Sequence, residues 1–297
     1  MEVSAEALTD KYNYFLFDCD GVLWDQEEPI EGAIEFIKYL TGKGKTVFFV
    51  TNSSWRGQIE VYEQFKRIGF EMGSEIESSQ FYSATSSAVS YCKNALKSKK
   101  IFVFGLEGVS AEIRRQGLEA VEPPKDYYEN SRCGEAEFEE MQSDPTIDTL
   151  ICGYTNKWTY KMLCYASILI RSGTHFVASN IDNVWSTGTR QMPGGGSIMK
   201  MLEAAGGKKP IIIGKPSKIL FDTIIEEHKL EDVPLDEFIM IGDKLDTDIK
   251  FGENIGIDTM LVLTGVTTKS NYSETKDDPT KPVPTYVSER LPEVNLE

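Results

Sequence analysis

Four short apolar runs, each closed abruptly by a polar signature, constrain this chain more than any other feature. "YFLF" ends in Asp18-Cys19-Asp20-Gly21, and "TVFFV" in Thr51-Asn52-Ser53-Ser54. "PIIIG" ends in Lys215, and "FIMIG" in Asp243, with Asp246 and Asp248 behind it. Short apolar runs bounded by turn formers read as buried strands. Helical periods lie between the first two and after the second. Ile34, Ile37 and Leu40 recur in "EGAIEFIKYLTGKGK", which Gly42 and Gly44 close, and "GQIEVYEQFKRIGF" closes at Gly69. Strand alternating with helix demands right-handed crossovers, and so a parallel sheet with helices on both faces. A third helix is expected within "SSQFYSATSSAVSYCKNAL", with Ser78 or Ser79 as its N-cap.

A second α/β rhythm occupies the middle. "KIFVFG", "IDTLICGY" and "THFVASN" read as strands, and "EGVSAEIRRQGL" and "YKMLCYASILIRSG" as helices. "VEPPKDYYENS" reads as a loop, and "PGGGS" as a turn opening a helix. From residue 210 the first pattern resumes, and the polar, proline-containing C-terminal stretch reads as a loop leading to a short strand. The expectation is an α/β core with a parallel sheet, residues 1–99 and 210–297, interrupted by a smaller α/β insertion, residues 100–209.

With 297 residues the chain can bury a large core, and 40% hydrophobic against 26% charged residues describes a globular protein rather than a disordered one. A net charge of −16 opposes nucleic acid and acidic membrane surfaces as partners. A small anionic substrate is still compatible, provided that its site draws positive potential from a metal, a lysine and backbone N–H groups. No apolar stretch is long enough to span a membrane, and no secretory signal opens the sequence. Five unpaired-looking cysteines, Cys19, Cys92, Cys133, Cys152 and Cys164, suit free thiols in a reducing compartment, with the cytoplasm as the default.

Ligands of open parallel sheets bind beyond the carboxyl ends of the strands. If the four runs are neighbours, one crevice collects Asp18, Asp20, Asp243, Asp248, Lys215 and the Thr51–Asn52–Ser53 turn. Residues i and i+2 of an extended stretch share a side, so Asp18 and Asp20 can point together. Clustered carboxylates repel unless a cation lies among them, and oxygen ligands favour a hard ion such as Mg2+. A carboxylate can attack phosphorus to give an acyl phosphate, and a second can protonate the leaving oxygen and then activate water.

"DCDGVLW", "TNSS", "GKPS" and "GDKLDTDI" resemble, in order, the four motifs of the haloacid-dehalogenase-type phosphatases. The wording is similar to the branch containing 4-nitrophenyl phosphatases, phosphoglycolate phosphatases and pyridoxal phosphatases, whose large α/β cap is inserted between the second and third motifs. The resemblance covers nearly the whole chain and implies a Rossmann-like core. It implies that Asp18 is the nucleophile that becomes aspartyl-phosphate. Asp20 would be the general acid/base, its main-chain carbonyl touching the metal. Thr51, Asn52 and Ser53 match the phosphate-holding turn, Lys215 the lysine that stabilises nucleophile and phosphoryl group, and Asp243 the magnesium ligand. Asp248 matches a supporting acidic position. The parent dehalogenases lack the second aspartate, so Asp20 argues for phosphate chemistry.

Plainer readings cover several other residues. Asp246 reads as an exposed acid at a helix start, His175 and His228 as structural, and Cys19 as core packing. "DCDG" does not continue as a calcium loop, and "PGGGS" lacks the ending of a P-loop. The segment "ASNIDNVWSTGTRQMPGGGS" resembles the cap loop that reads the substrate. Pyridoxal phosphatases tend to carry a histidine there, whereas this loop offers Asn180, Asp182, Asn183 and Trp185. That points toward phosphoglycolate, glycerol 3-phosphate or another small phosphorylated metabolite, with 4-nitrophenyl phosphate as a ready substrate. Pyridoxal phosphate, a phosphoprotein, or a non-catalytic scaffold of the same fold are the alternatives. Relatives in that branch often dimerise through the cap. The apolar helix expected over 162–170 could serve such a contact, although ordinary packing within the cap is the preferred account of it.

Overall fold

Phe15, Leu16 and Phe17 are wholly buried, and Tyr14–Phe17 is accordingly an inner strand, bonded in parallel to Phe238–Gly242 on one side and Thr46–Thr51 on the other. The computed structural model describes residues 3–70, 76–129, 134–186 and 190–294. Its six-stranded sheet runs Tyr286–Ser288, Asp258–Val262, Phe238–Gly242, Tyr14–Phe17, Thr46–Thr51, Phe81–Ser83. Successive side chains go to opposite faces. Phe15 and Phe17 join Phe49, Ile239 and Ile241 in one cluster, while Leu16 joins Phe48, Val50 and Met240 in another. Each such side chain contributes about 1.5–3 kcal/mol on burial. Both faces being apolar, the strand reads as a continuous hydrophobic run, the mark of a covered parallel sheet. The chain departs from Tyr14–Phe17 toward one edge and later returns to its other side, so the carboxyl end of this strand is a switch point of the sheet order.

The chain divides into two compact units. The first comprises Met1–Thr51, Gln58–Tyr82 and Lys215–Glu297; the second comprises Asn52–Gly57 and Ser83–Gly214. The second has its own five-stranded parallel sheet, in the order Ile211–Ile212, His175–Ala178, Thr149–Cys152, Lys100–Phe104, Glu119–Val121. Helix Tyr160–Arg171 buries Met162, Ala166, Leu169 and Ile170 with Ile198, Met199 and Leu202, so the apolar face of 162–170 is occupied within its own unit.

Three expectations are corrected here. The division lies at Tyr82/Ser83 and Gly214/Lys215 rather than at 99/100 and 209/210. The "PIII" run does not join the core sheet: Ile211–Ile212 forms the edge of the second sheet beside His175–Ala178, and the core resumes only at Lys215. The helix expected near Ser78 starts at Ala84, capped by Ser83, whose hydroxyl accepts from the Ser86 N–H at 2.9 Å. Phe81 and Tyr82 are buried and extend the core sheet instead, because two large apolar side chains gain more there than in a first helical turn.

Cys19, Cys92, Cys152 and Cys164 are not joined in disulfides, Cys19 is fully buried in the core, and Cys133 lies outside the described residues. Asp246 is exposed and pairs with Lys281 at 3.0 Å, and His228 stacks edge-on against Phe48. Helix Gly195–Gly206 follows the "PG" turn directly. The C-terminal stretch holds helix Lys269–Thr275 as well as the short strand. Among the described residues no helix is long and apolar enough to cross a membrane.

Candidate active site

Three adjacent core strands deliver the chemistry to one place. Asp18 follows Tyr14–Phe17, Asp243 follows Phe238–Gly242, and Thr51 closes Thr46–Thr51. Lys215 enters from the resuming chain. Its Nζ lies 2.7 Å from Asp18 Oδ1, 2.7 Å from Asp248 Oδ1 and 2.9 Å from the Val50 carbonyl oxygen. The ammonium donates hydrogen bonds to Asp18 and to the Val50 carbonyl and forms an ion pair with Asp248. Lys215 is 1% exposed, so its charge exists only because its partners hold it there. Burial works against the charge, but the carboxylates of Asp18 and Asp248 outweigh it and raise the Lys215 pKa above its ordinary value.

Asp248 is fixed by the loop that carries it. A turn of π-helix, Leu245–Ile249, brings its Oδ2 back to accept from the backbone N–H groups of Asp243 and Lys244, at 3.2 and 3.0 Å. Such turns recur at functional sites. Asp243 is held from elsewhere: the Val266 N–H donates to its Oδ2 at 2.5 Å, and the Thr267 N–H to its carbonyl at 3.0 Å. This loop after Asp258–Val262 was not singled out in the sequence. Its signal was Gly265, where a Cβ would lie 2.0 Å from Asp243 Oδ2. Gly21 is the matching requirement on the other side. It sits at φ +85°, and a Cβ there would meet the same oxygen at 2.5 Å.

The carboxylates of Asp18, Asp243 and Asp248 lie within 4.8 Å of one another. Burial first, and the neighbouring negative charges after it, raise Asp18 well above the usual carboxylate range despite the pull of Lys215. Burial, with Asp248's charge added, pushes Asp243 up to about 7. Three acids around one ammonium leave a deficit of positive charge in a site built of hard oxygen donors. That donor set fits a divalent cation of the magnesium type.

Asp20 stands apart from this trio. It is exposed, and its Oδ1 accepts the indole N–H of Trp24 at 3.0 Å. Thr51 is buried at its strand end, immediately after the Val50 carbonyl that receives Lys215. Asn52 and Ser53 belong to the second unit. There the Asn180 carboxamide donates to the Asn52 carbonyl at 2.6 Å, and the Asn52 carboxamide donates to Asp182 Oδ2 at 2.8 Å. The Asp182 N–H donates to Asn180 Oδ1 at 3.1 Å, closing the triangle. The Ser53 hydroxyl accepts from Arg56 Nε at 3.3 Å and its carbonyl accepts the Thr85 N–H at 3.3 Å. The Asn183 carbonyl takes the Gly194 N–H at 2.7 Å. Trp185, 45% exposed, lies on a hairpin of Val184–Ser186 with Gln191–Pro193 and meets Tyr154 edge-on.

The sequence matches the haloacid dehalogenase-like hydrolase family over residues 15–119 and a HAD-hydrolase-like family over residues 212–294. Phosphoglycolate phosphatase 2 of Arabidopsis thaliana is 33% identical, over 90% of this chain and 87% of that protein. The 4-nitrophenylphosphatase of Schizosaccharomyces pombe is 32% identical, over 95% of this chain and 93% of that one. Among solved structures, a p-nitrophenyl phosphatase from Archaeoglobus fulgidus superposes with a TM-score of 0.78 at 26% identity, covering 94% of this chain and 97% of that one. The chain belongs to the haloacid dehalogenase-like hydrolases, in the branch that contains the 4-nitrophenylphosphatases and phosphoglycolate phosphatases.

Proposed function

We propose that this chain is a magnesium-dependent phosphatase that hydrolyses small phosphomonoesters through an aspartyl-phosphate on Asp18. The observation that carries the reading is the buried Asp18–Lys215–Asp248 arrangement with Asp243 beside it. A carboxylate held by an ammonium, at the end of a central strand, is oriented for attack, and a divalent cation bound beside it would keep it anionic when a phosphoryl group arrives. Relatives named for phosphoglycolate, 4-nitrophenyl phosphate and glycerol 3-phosphate support a small substrate.

In this reading an Asp18 oxygen bonds to phosphorus as the bond from phosphorus to the leaving oxygen breaks. Asp20 gives its proton to that oxygen. Asp20, now a carboxylate, takes a proton from water, whose oxygen attacks phosphorus and releases phosphate from Asp18. Lys215 holds Asp18 in place and balances charge through both steps. Asp18, Asp243 and the Asp20 carbonyl would hold the metal, which when bound supplies further positive charge at the phosphoryl oxygens. Thr51, Asn52 and Ser53 would hold the phosphoryl oxygens. The cap loop around Asn180, Asp182, Asn183 and Trp185 would contact the leaving group.

The test is phosphate release from 2-phosphoglycolate, glycerol 3-phosphate, pyridoxal phosphate, 4-nitrophenyl phosphate and a phosphopeptide, each with magnesium and with chelator. Magnesium-dependent release from 4-nitrophenyl phosphate, with one small metabolite well ahead of the rest, is expected. A phosphopeptide or pyridoxal phosphate in the lead would move the substrate class. No release from any of them by folded, magnesium-loaded protein would overturn the reading.

A further inference from the structure

The turn after the first core strand sets an indole against the proposed acid. Trp24 is fully buried in the core cluster, with its ring edge-on to Phe70. Its backbone is fixed as well. The Trp24 N–H donates to the Cys19 carbonyl at 3.2 Å, and the Trp24 carbonyl accepts from the Gly21 N–H at 2.8 Å. Asp20 and Trp24 also face each other in an isolated parallel bridge. The ring that donates to Asp20 Oδ1 at 3.0 Å therefore has no freedom of its own. Asp20 is exposed and stands outside the buried carboxylate trio. An exposed aspartate ordinarily samples several rotamers; this one is tied to a rigid donor.

We propose that Trp24 is a positioning residue for proton transfer: its indole N–H holds Asp20 Oδ1 and thereby assigns the transferable proton to Oδ2. This rests on the reading of Asp20 as general acid/base. A donor placed on one carboxyl oxygen needs a lone pair there, so the protonated acid is more stable with its proton on the other oxygen. The same contact fixes the direction in which that second oxygen points. Trp24 then matters in proportion to the leaving group's need for a proton. An alkyl phosphate, whose alkoxide leaves poorly, depends on it. 4-Nitrophenyl phosphate, whose phenolate leaves unaided, does not. The competing account is packing alone, since a buried indole N–H wants an acceptor whatever its function. Packing alone would treat both leaving groups equally.

The experiment replaces Trp24 by 3-benzothienylalanine in the full-length, magnesium-loaded protein, which keeps the ring's shape and removes the N–H. Trp24→Phe serves as a second variant. kcat/KM, which reports phosphorylation of Asp18 and not the hydrolysis step common to all esters, is measured for glycerol 3-phosphate and for 4-nitrophenyl phosphate, alone and in an Asp20→Asn background. The isostere is expected to lower kcat/KM for the alkyl ester about tenfold, a fraction of the ~10²–10⁴ that general acid catalysis supplies. It should change the aryl ester by less than about twofold, and have no further effect once Asp20 is Asn. Equal losses on both esters, or an undiminished loss in the Asp20→Asn background, would make Trp24 a packing residue and overturn the proposal. If Asp20→Asn itself fails to separate the two esters, the acid/base reading falls first and takes this proposal with it.

Discussion

Lys215 Nζ lies 2.7 Å from Asp18 Oδ1, and neither side chain has appreciable access to water. A buried ion pair of this kind adds little net stability while intact, but removing one partner strands the other and costs about 3–5 kcal/mol. Lys215→Met should therefore lower kcat for 4-nitrophenyl phosphate by about 10²–10³, the usual range for one preorganised charge. It should also lower the melting temperature of the metal-free protein at pH 8. At pH 5 that gap should narrow, because Asp18 and Asp243, both raised by burial, escape the penalty by taking up protons. Kinetics and thermal unfolding at the two pH values check this. A variant as active as the parent would remove Lys215 from the chemistry.

Asp243 carries a pH signature. Its carboxyl titrates near 4 in an unfolded chain and is pushed up to about 7 in the fold by burial and by Asp248. Between these values the folded state binds more protons than the unfolded one, so stability falls as pH rises. Asp18, raised for the same reasons, acts in the same direction. Lys215, raised above its ordinary value, stays charged in both states across this window and adds no slope. A divalent cation reverses the balance, because it binds the deprotonated acids. Melting temperatures with chelator should decline from pH 5 to pH 7, and the gain from added magnesium should grow over the same range. The decline should be weaker in Asp243→Asn. A chelated protein whose stability rises across this window would contradict the electrostatics of the site.

How much of this was legible in the sequence depends on range. Asp18, Thr51 and Asp243 could be found because each follows an apolar run, and a strand end is a local event. That Lys215 joins them was legible from the motif but not from its own strand. Ile211–Ile212 looks like a core strand and pairs with His175–Ala178 instead, since a short apolar run carries no label for the sheet it enters. The boundary at Ser83 was missed for a similar reason: Phe81 and Tyr82 are compatible with helix or strand until a neighbouring strand is present. The Val266 N–H and Gly265, which close on Asp243 from 22 or more residues away, were out of reach of any local pattern. Trp24 was legible only as an apolar residue, because a hydrogen bond of its indole is a property of the turn and not of the residue.

The triangle of Asn52, Asn180 and Asp182 yields the last prediction. Asn180 is 6% exposed, donates to the Asn52 carbonyl at 2.6 Å and accepts the Asp182 N–H at 3.1 Å. Removing it leaves a carbonyl and an N–H without these partners, a loss of about 1–3 kcal/mol for each group that stays buried. If Asn52 holds a phosphoryl oxygen, a displaced Asn52 loses ground-state and transition-state binding together. Asn180→Ala should then raise KM for 4-nitrophenyl phosphate and the inhibition constant of inorganic phosphate by a similar factor, about tenfold, with a smaller change in kcat. Asp182→Asn keeps an acceptor for the Asn52 carboxamide and should do less on both counts. Because phosphate carries no leaving group, its inhibition constant separates the two roles open to Asn180. A rise in KM without a rise in that constant would mean that Asn180 acts on the leaving group and not through the Asn52 turn.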